Sequence, residues 1–215
     1  MKGLLLKDWY QVRTSMKAMC LTVAFVLVIW VFSTSNAYVF PVSYAAVFLG
    51  ILPINLLAYD HASGWTEYSF ALPLSKELQV AEKYLVGLLC TAVSAALNGI
   101  FCGILFWMGK PLPAMPIGLL LGAGAASILL INGIMLPLYY RFGAEKARML
   151  YMLMFAGMGA ALGGSAVMDE LQQNGTGSGP LPVPLWLAAV LLLAVLALYA
   201  VSWRVSVAWY GKYKK

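Results

Sequence analysis

At 215 residues, with 62% hydrophobic and 10% charged residues and a mean hydropathy of +0.84, the chain is too apolar for a water-soluble domain and reads as an integral membrane protein. Its net charge of +6 does not imply nucleic acid, because the basic residues flank long uncharged runs instead of gathering on one soluble face. A single histidine and the absence of Gly-x-x-x-x-Gly-Lys-Ser/Thr exclude most histidine- or zinc-based membrane chemistry and any nucleotide site on this chain.

Residues 2 to 17 place Leu5, Trp9, Val12 and Met16 on one helical stripe, with Lys7, Gln11, Thr14 and Lys17 opposite. This pattern predicts an amphipathic helix lying in the headgroup layer. From Ala18 to Tyr59 there is no charged residue or histidine, and the run is long enough to cross a bilayer twice if Ser33 to Asn36 and Pro41 mark the turn. The spans are placed at about 18–35 and 39–59. Pro53 and Asn55 fall in the second, and the amide needs a partner inside the membrane.

The stretch from Asp60 to Tyr84 is the longest polar interruption in the chain and is expected in water. Ser63 could cap a short helix carrying Trp65, Tyr68 and Leu72, which Pro73 ends by removing a donor. Ser75 is then placed to cap a second helix, with Glu77 in its first turn, running through Lys83 into the next span. Here the chain resembles the membrane-spanning permease subunits of type 2 ABC exporters, in particular their small six-span bacterial members. Leu72, Pro73, Leu74, Ser75 and Lys76, then Lys83 and Tyr84, match that family's pattern, as do Asp60, Gly64, Trp65 and Tyr68, whereas Ala62 and Glu77 depart from it. The resemblance also implies that the first residues form an interfacial helix.

Further uncharged runs predict spans at about 84–108, 117–140, 149–168 and 185–203. Asn98 and Asn132 are isolated amides, read as interhelical contacts or as part of a pathway. Small-residue pairs four apart, Gly99 with Gly103, Gly118 with Gly122 and Gly159 with Gly163, suit close helix packing. Arg141 to Arg148 reads as a short cytoplasmic turn in which Glu145 can pair locally. Residues 169–184, rich in Gly and Pro, read as an external loop; in the family this connection can hold re-entrant helices. Cys20, Cys90 and Cys102 lie in or beside spans without Cys-x-x-Cys spacing and read as packing residues.

Thirteen of the fourteen Lys and Arg residues fall on one side of this six-span layout, with only Lys110 opposite, which puts both termini in the cytoplasm. The predicted fold is therefore all-α and integral to the membrane, a single domain over 1–215: an N-terminal amphipathic interfacial helix, six transmembrane helices and a cytoplasmic loop at 60–83. The resemblance implies the type 2 ABC exporter permease fold, a second permease copy and a separate ABC ATPase that holds ATP and Mg. No cofactor is expected on this chain, and lipid but not nucleic acid is a partner. The family's coupling helix maps onto Trp65, Glu67 and Tyr68, with Leu72, Pro73, Ser75 and Lys76 following. The absence of fixed charge in the spans suits an amphipathic or apolar cargo, such as a peptide, lipid or drug. A stand-alone channel or secondary carrier, and a non-transporting scaffold or sensory subunit, are the alternatives.

Overall fold

The structure, a computed structural model, describes residues 2–15, 17–32, 39–71, 75–110, 117–172 and 185–210. Every regular element among them is an α-helix: α1 (Lys2–Ser15), α2 (Lys17–Phe32), α3 (Val39–Ala62), α4 (Trp65–Ala71), α5 (Lys76–Trp107), α6 (Ile117–Gln172) and α7 (Leu185–Tyr210). Among the described residues, four helical stretches are long and apolar enough to cross a membrane: Val42–Ala62, Lys76–Trp107, Ile117–Gly143 and Ala189–Tyr210. The helix before them, α2, is shorter, its 16 residues reaching about 24 Å at 1.5 Å per residue.

α6 is the post of the bundle, with α3, α5 and α7 packed around it; α2 closes the far flank against α3 and α5. The pattern of side chains dictates this layering. On α7, Val195, Tyr199, Ser206 and Tyr210 recur at three- or four-residue multiples and are buried, while Leu191, Leu193, Leu198 and Val201 point out as a lipid-facing surface would. On α2, Val23, Leu27 and Val31 form the inward stripe and Phe25, Ile29 and Phe32 face away. α3 accommodates Pro53, which is buried, without ending.

Where α5 and α7 meet, they approach as closely as they do because of Gly87. A Cβ built there would lie 2.5 Å from Tyr199 Oη, so any larger residue collides with a buried tyrosine. Gly143 interrupts α6 with φ 79° and ψ 176°, a backbone region open essentially to glycine alone. The expected turn over 141–148 is thus compressed: helix continues on both sides of one glycine. α6 also runs on to Gln172, so residues 169–172 of the expected external loop are helical, and 173–184 lie outside the described residues.

α1 differs from its expected orientation. Leu4 and Asp8 are buried, and Leu5 and Val12 pack on the cluster of Leu49, Leu52, Leu56, Val86 and Cys90, whereas Trp9 is 63% exposed. The inward stripe is centred on an aspartate because that aspartate has a buried lysine to pair with. Trp9 sits comfortably at a surface of the kind membrane headgroups provide. Met16 lies outside the described residues.

Candidate functional site

At one end of the bundle the short helix α4 packs on the end of α3 and reaches α1 and α5 through the side chains of Trp65 and Ser69. Its connection to α3 is a tight turn with Gly64 at φ 71°, a left-handed conformation that suits glycine. Ser63 does not cap α4. Its hydroxyl donates back to the Asp60 carbonyl, and the amide of Tyr68 instead bonds to the Gly64 carbonyl. Ser63 therefore finishes α3. Ser75 is the N-cap of α5, in an extended conformation with its Oγ accepting from the Leu78 amide at 3.3 Å.

On α4, Glu67 and Tyr68 are exposed and Trp65 is half-buried; Ser75 and Lys76 are exposed at the start of α5, and Leu72 and Pro73 lie outside the described residues. Glu67 stands in the first turn, where the helix end favours a carboxylate. Trp65 stacks obliquely on Tyr68 at 5.5 Å and receives the Lys7 ammonium over its ring at 4.8 Å. Ser69 is buried, donates to Gln79 Oε1 at 3.2 Å, and its carbonyl accepts from Gln79 Nε2 at 3.2 Å. Gln79 Oε1 also accepts from the Tyr210 hydroxyl, so α4, α5 and the end of α7 share one amide.

Beneath α4 lies a cluster that the linear sequence did not bring together. Lys7 donates to Asp60 at 2.7 and 2.8 Å and stands 3.1 Å from Asp8. Lys83 donates to Asp8 at 2.8 and 2.9 Å and lies 2.7 Å from Asp60. The two lysines thus bridge two aspartates contributed by α1 and α3. Glu82 is the third acid, with Oε1 3.6 Å from Lys83 and 3.9 Å from Lys7, and its side chain hydrogen-bonds that of Asp8. The stretch expected in water is only partly so: Asp60, Glu82 and Lys83 are buried, tolerated because opposite charges lie within bonding distance.

A polar seam runs from this cluster into the bundle. The Tyr84 hydroxyl lies 2.7 Å from both Ser202 and Ser206, Tyr199 donates to the Tyr84 carbonyl at 2.8 Å, Ser202 donates to the Gly133 carbonyl, and Tyr139 donates to the Leu57 carbonyl at 3.1 Å. The predicted amides behave differently. Asn132 donates one turn back to Ile128 at 3.0 Å and Asn98 donates to Ser94 at 3.4 Å, so each bonds within its own helix, and neither Oδ1 accepts a hydrogen bond. Asn55 is half-buried on α3.

A Cβ at Gly99, Gly103, Gly118 or Gly122 would meet nothing within 4 Å, so these glycines serve no close approach among the described residues. Gly159 and Gly163 fall on the part of α6 whose side-chain surroundings lie outside the described residues. Gly87, which does bring helices together, has no second glycine four residues away, and the glycine spacing did not point to it. The charge cluster did leave a trace: Asp8, Asp60 and Glu82 stand next to apolar runs, where an unpaired acid would be costly.

Among the described residues no group of three or more His, Cys, Asp or Glu side chains could hold a metal ion. No curated protein and no solved structure matches the chain. A family model described as ABC-2 family transporter protein matches residues 3–211, which covers all seven helices. With several membrane-length apolar helices and that match over nearly its whole length, the chain belongs to the ABC-2 family of transporter proteins as a membrane permease.

Proposed function

We propose that the chain is the permease subunit of an ATP-binding cassette exporter, crossing the membrane six times with both termini in the cytoplasm. It pairs with a second permease copy and takes its energy from a separate ATPase subunit, which carries the nucleotide. The observation that carries this reading is α4: a short helix whose Glu67 and Tyr68 face outward while Trp65 and Ser69 reach inward to α1 and α5. Such a helix is built to be pushed. An ATPase seated on Glu67 and Tyr68, and on Lys76 beside them, would move α4, and the contacts of Trp65 with Lys7 and of Ser69 with Gln79 would pass the displacement to α1 and α5. A two-state bundle then exchanges inward-open and outward-open forms. The pathway, walled by apolar side chains, suits an amphipathic or apolar cargo such as a peptide, lipid or drug.

The test is co-purification of the chain with a candidate ABC ATPase from the same cell, followed by ATP hydrolysis in proteoliposomes. The double substitution Glu67→Lys and Tyr68→Ala is expected to lose the ATPase while the permease still elutes as a monodisperse species. Retention of the ATPase by that variant, or transport by the purified chain without any ATPase, refutes the reading.

A further inference from the structure

The Gln79 amide joins two helices whose backbones do not pack on each other, α4 and α7. Among the described helices α4 packs its backbone against α3 alone, so whatever it passes to α5 and α7 goes through side chains. Gln79 Nε2 donates to the Ser69 carbonyl of α4 at 3.2 Å, and Gln79 Oε1 accepts from the hydroxyl of Tyr210, the last residue of α7. The Ser69 hydroxyl stands 3.2 Å from that same oxygen and in bonding reach of Tyr210, but its one proton is shared with the Thr66 carbonyl at 2.8 Å. An amide is planar, so its donor and its acceptor turn together: when Nε2 follows the Ser69 carbonyl, the oxygen that Tyr210 holds moves too. Tyr210 is buried with its ring edge-on to Tyr140 of α6 at 5.4 Å, so it is held in place while the amide turns. A neutral amide also supplies donor and acceptor without adding a charge one turn from Glu82 and Lys83.

We propose that Gln79 is the positioning residue that couples α4 to the end of α7: displacement of α4 turns the Gln79 amide and releases Tyr210. This rests on the reading of α4 as the helix an ATPase moves, and it adds α7 to the helices that the movement reaches. Release at Tyr210 matters because Tyr210, Ser206 and Ser202 follow one another at intervals of four along one face of α7. Ser206 bonds the Tyr84 hydroxyl of α5, and Ser202 bonds both that hydroxyl and the Gly133 carbonyl of α6. The Tyr210 bond is thus the first rung of a ladder that ties α7 to its neighbours, and the rung that α4 can reach.

Hydrogen–deuterium exchange of the purified full chain in detergent, read by mass spectrometry on peptides from α4 and from the last turn of α7, tests it. Tyr210→Phe removes one hydroxyl from α7, and exchange is expected to rise about tenfold in α4 as well as in α7, the factor a hydrogen bond of ordinary strength supplies. Gln79→Leu should raise both peptides alike, and adding Tyr210→Phe to it should change neither further. Unchanged exchange of α4 in Tyr210→Phe, or additive effects in the double variant, overturns the proposal. Where Gln79→Leu fails to fold, the α4 peptide of Tyr210→Phe decides. In the complex with the ATPase, ATP with vanadate should raise exchange at the end of α7 in the wild type and leave it unmoved in Tyr210→Phe. The same α7 exchange with and without nucleotide overturns the proposal. Failure of the ATPase to bind instead overturns the reading of α4, and the coupling of α4 to α7 is then decided by the ATPase-free comparison.

Discussion

At the α4 end of the bundle, five charged side chains from α1, α3 and α5 interlock, and Tyr84, Tyr199, Tyr210, Ser202 and Gln79 add directional bonds between helices. At the opposite end, Val23, Leu27, Val31, Val42, Phe101, Cys102, Leu105 and Leu120 pack as an apolar cluster, with the Lys110 ammonium donating to the Val31 carbonyl beside it. Apolar packing is tolerant of sliding, since lipid tails are as apolar as the side chains they replace. Ion pairs and hydrogen bonds are intolerant, because an unsatisfied buried group costs more than a satisfied one gains. The α4 end therefore fixes helix register, and the far end is the part free to rearrange.

Substitutions at the two ends should separate these behaviours. The largest effect is expected for Lys83→Met, which leaves three buried acids against one lysine. It should cost about 3–5 kcal/mol, the loss typical of breaking a buried pair, measured by unfolding in micelles. A loss under about 1 kcal/mol would show that the cluster is not interlocked.

Gly87→Ala should destabilise by about 1–3 kcal/mol, since Tyr199 must swing away from the Tyr84 carbonyl. Adding Tyr199→Phe removes the colliding oxygen and should recover part of that loss; if the double variant is simply the sum of the two, the close approach is not what glycine provides. Gly143→Ala is expected to cost about 1–3 kcal/mol through backbone strain alone, visible as a lowered unfolding midpoint with no change in helix content. The smallest effect belongs to the far end. Leu105→Met, roughly volume-conserving in a fully buried apolar site, should cost less than about 1.5 kcal/mol. A far-end loss equal to that of Lys83→Met would erase the distinction between the two ends.

Much of the helical layout was legible in the sequence because local chemistry dictates it. Uncharged runs mark the apolar helices, and Ser75 had to begin α5 because its hydroxyl is where an orphan amide needs one. The site was legible only in outline. The exposed positions of Glu67 and Tyr68 follow from their place on a short polar helix, but the inward turn of Trp65 depends on Lys7, 58 residues away in sequence. The same holds for α1. Its apolar stripe favoured Trp9, and the pairing of Asp8 with Lys83 rotated it, a contact between positions 75 apart that no local pattern encodes. Spacing likewise singled out Gly99 and Gly103, which face open space, and passed over Gly87, whose role is set by a tyrosine on another helix.

The position of α1 carries a practical consequence for anyone shortening the protein from its front. Removing the first fifteen residues takes away one aspartate and one lysine from the cluster, a trade that looks harmless when charges are merely tallied. The remnants, Lys83, Asp60 and Glu82, would keep their places with two of the five members gone, and Trp65 would lose the cation on its face. Such a trimmed protein would loosen first at its α4 end, while the apolar far end stayed whole.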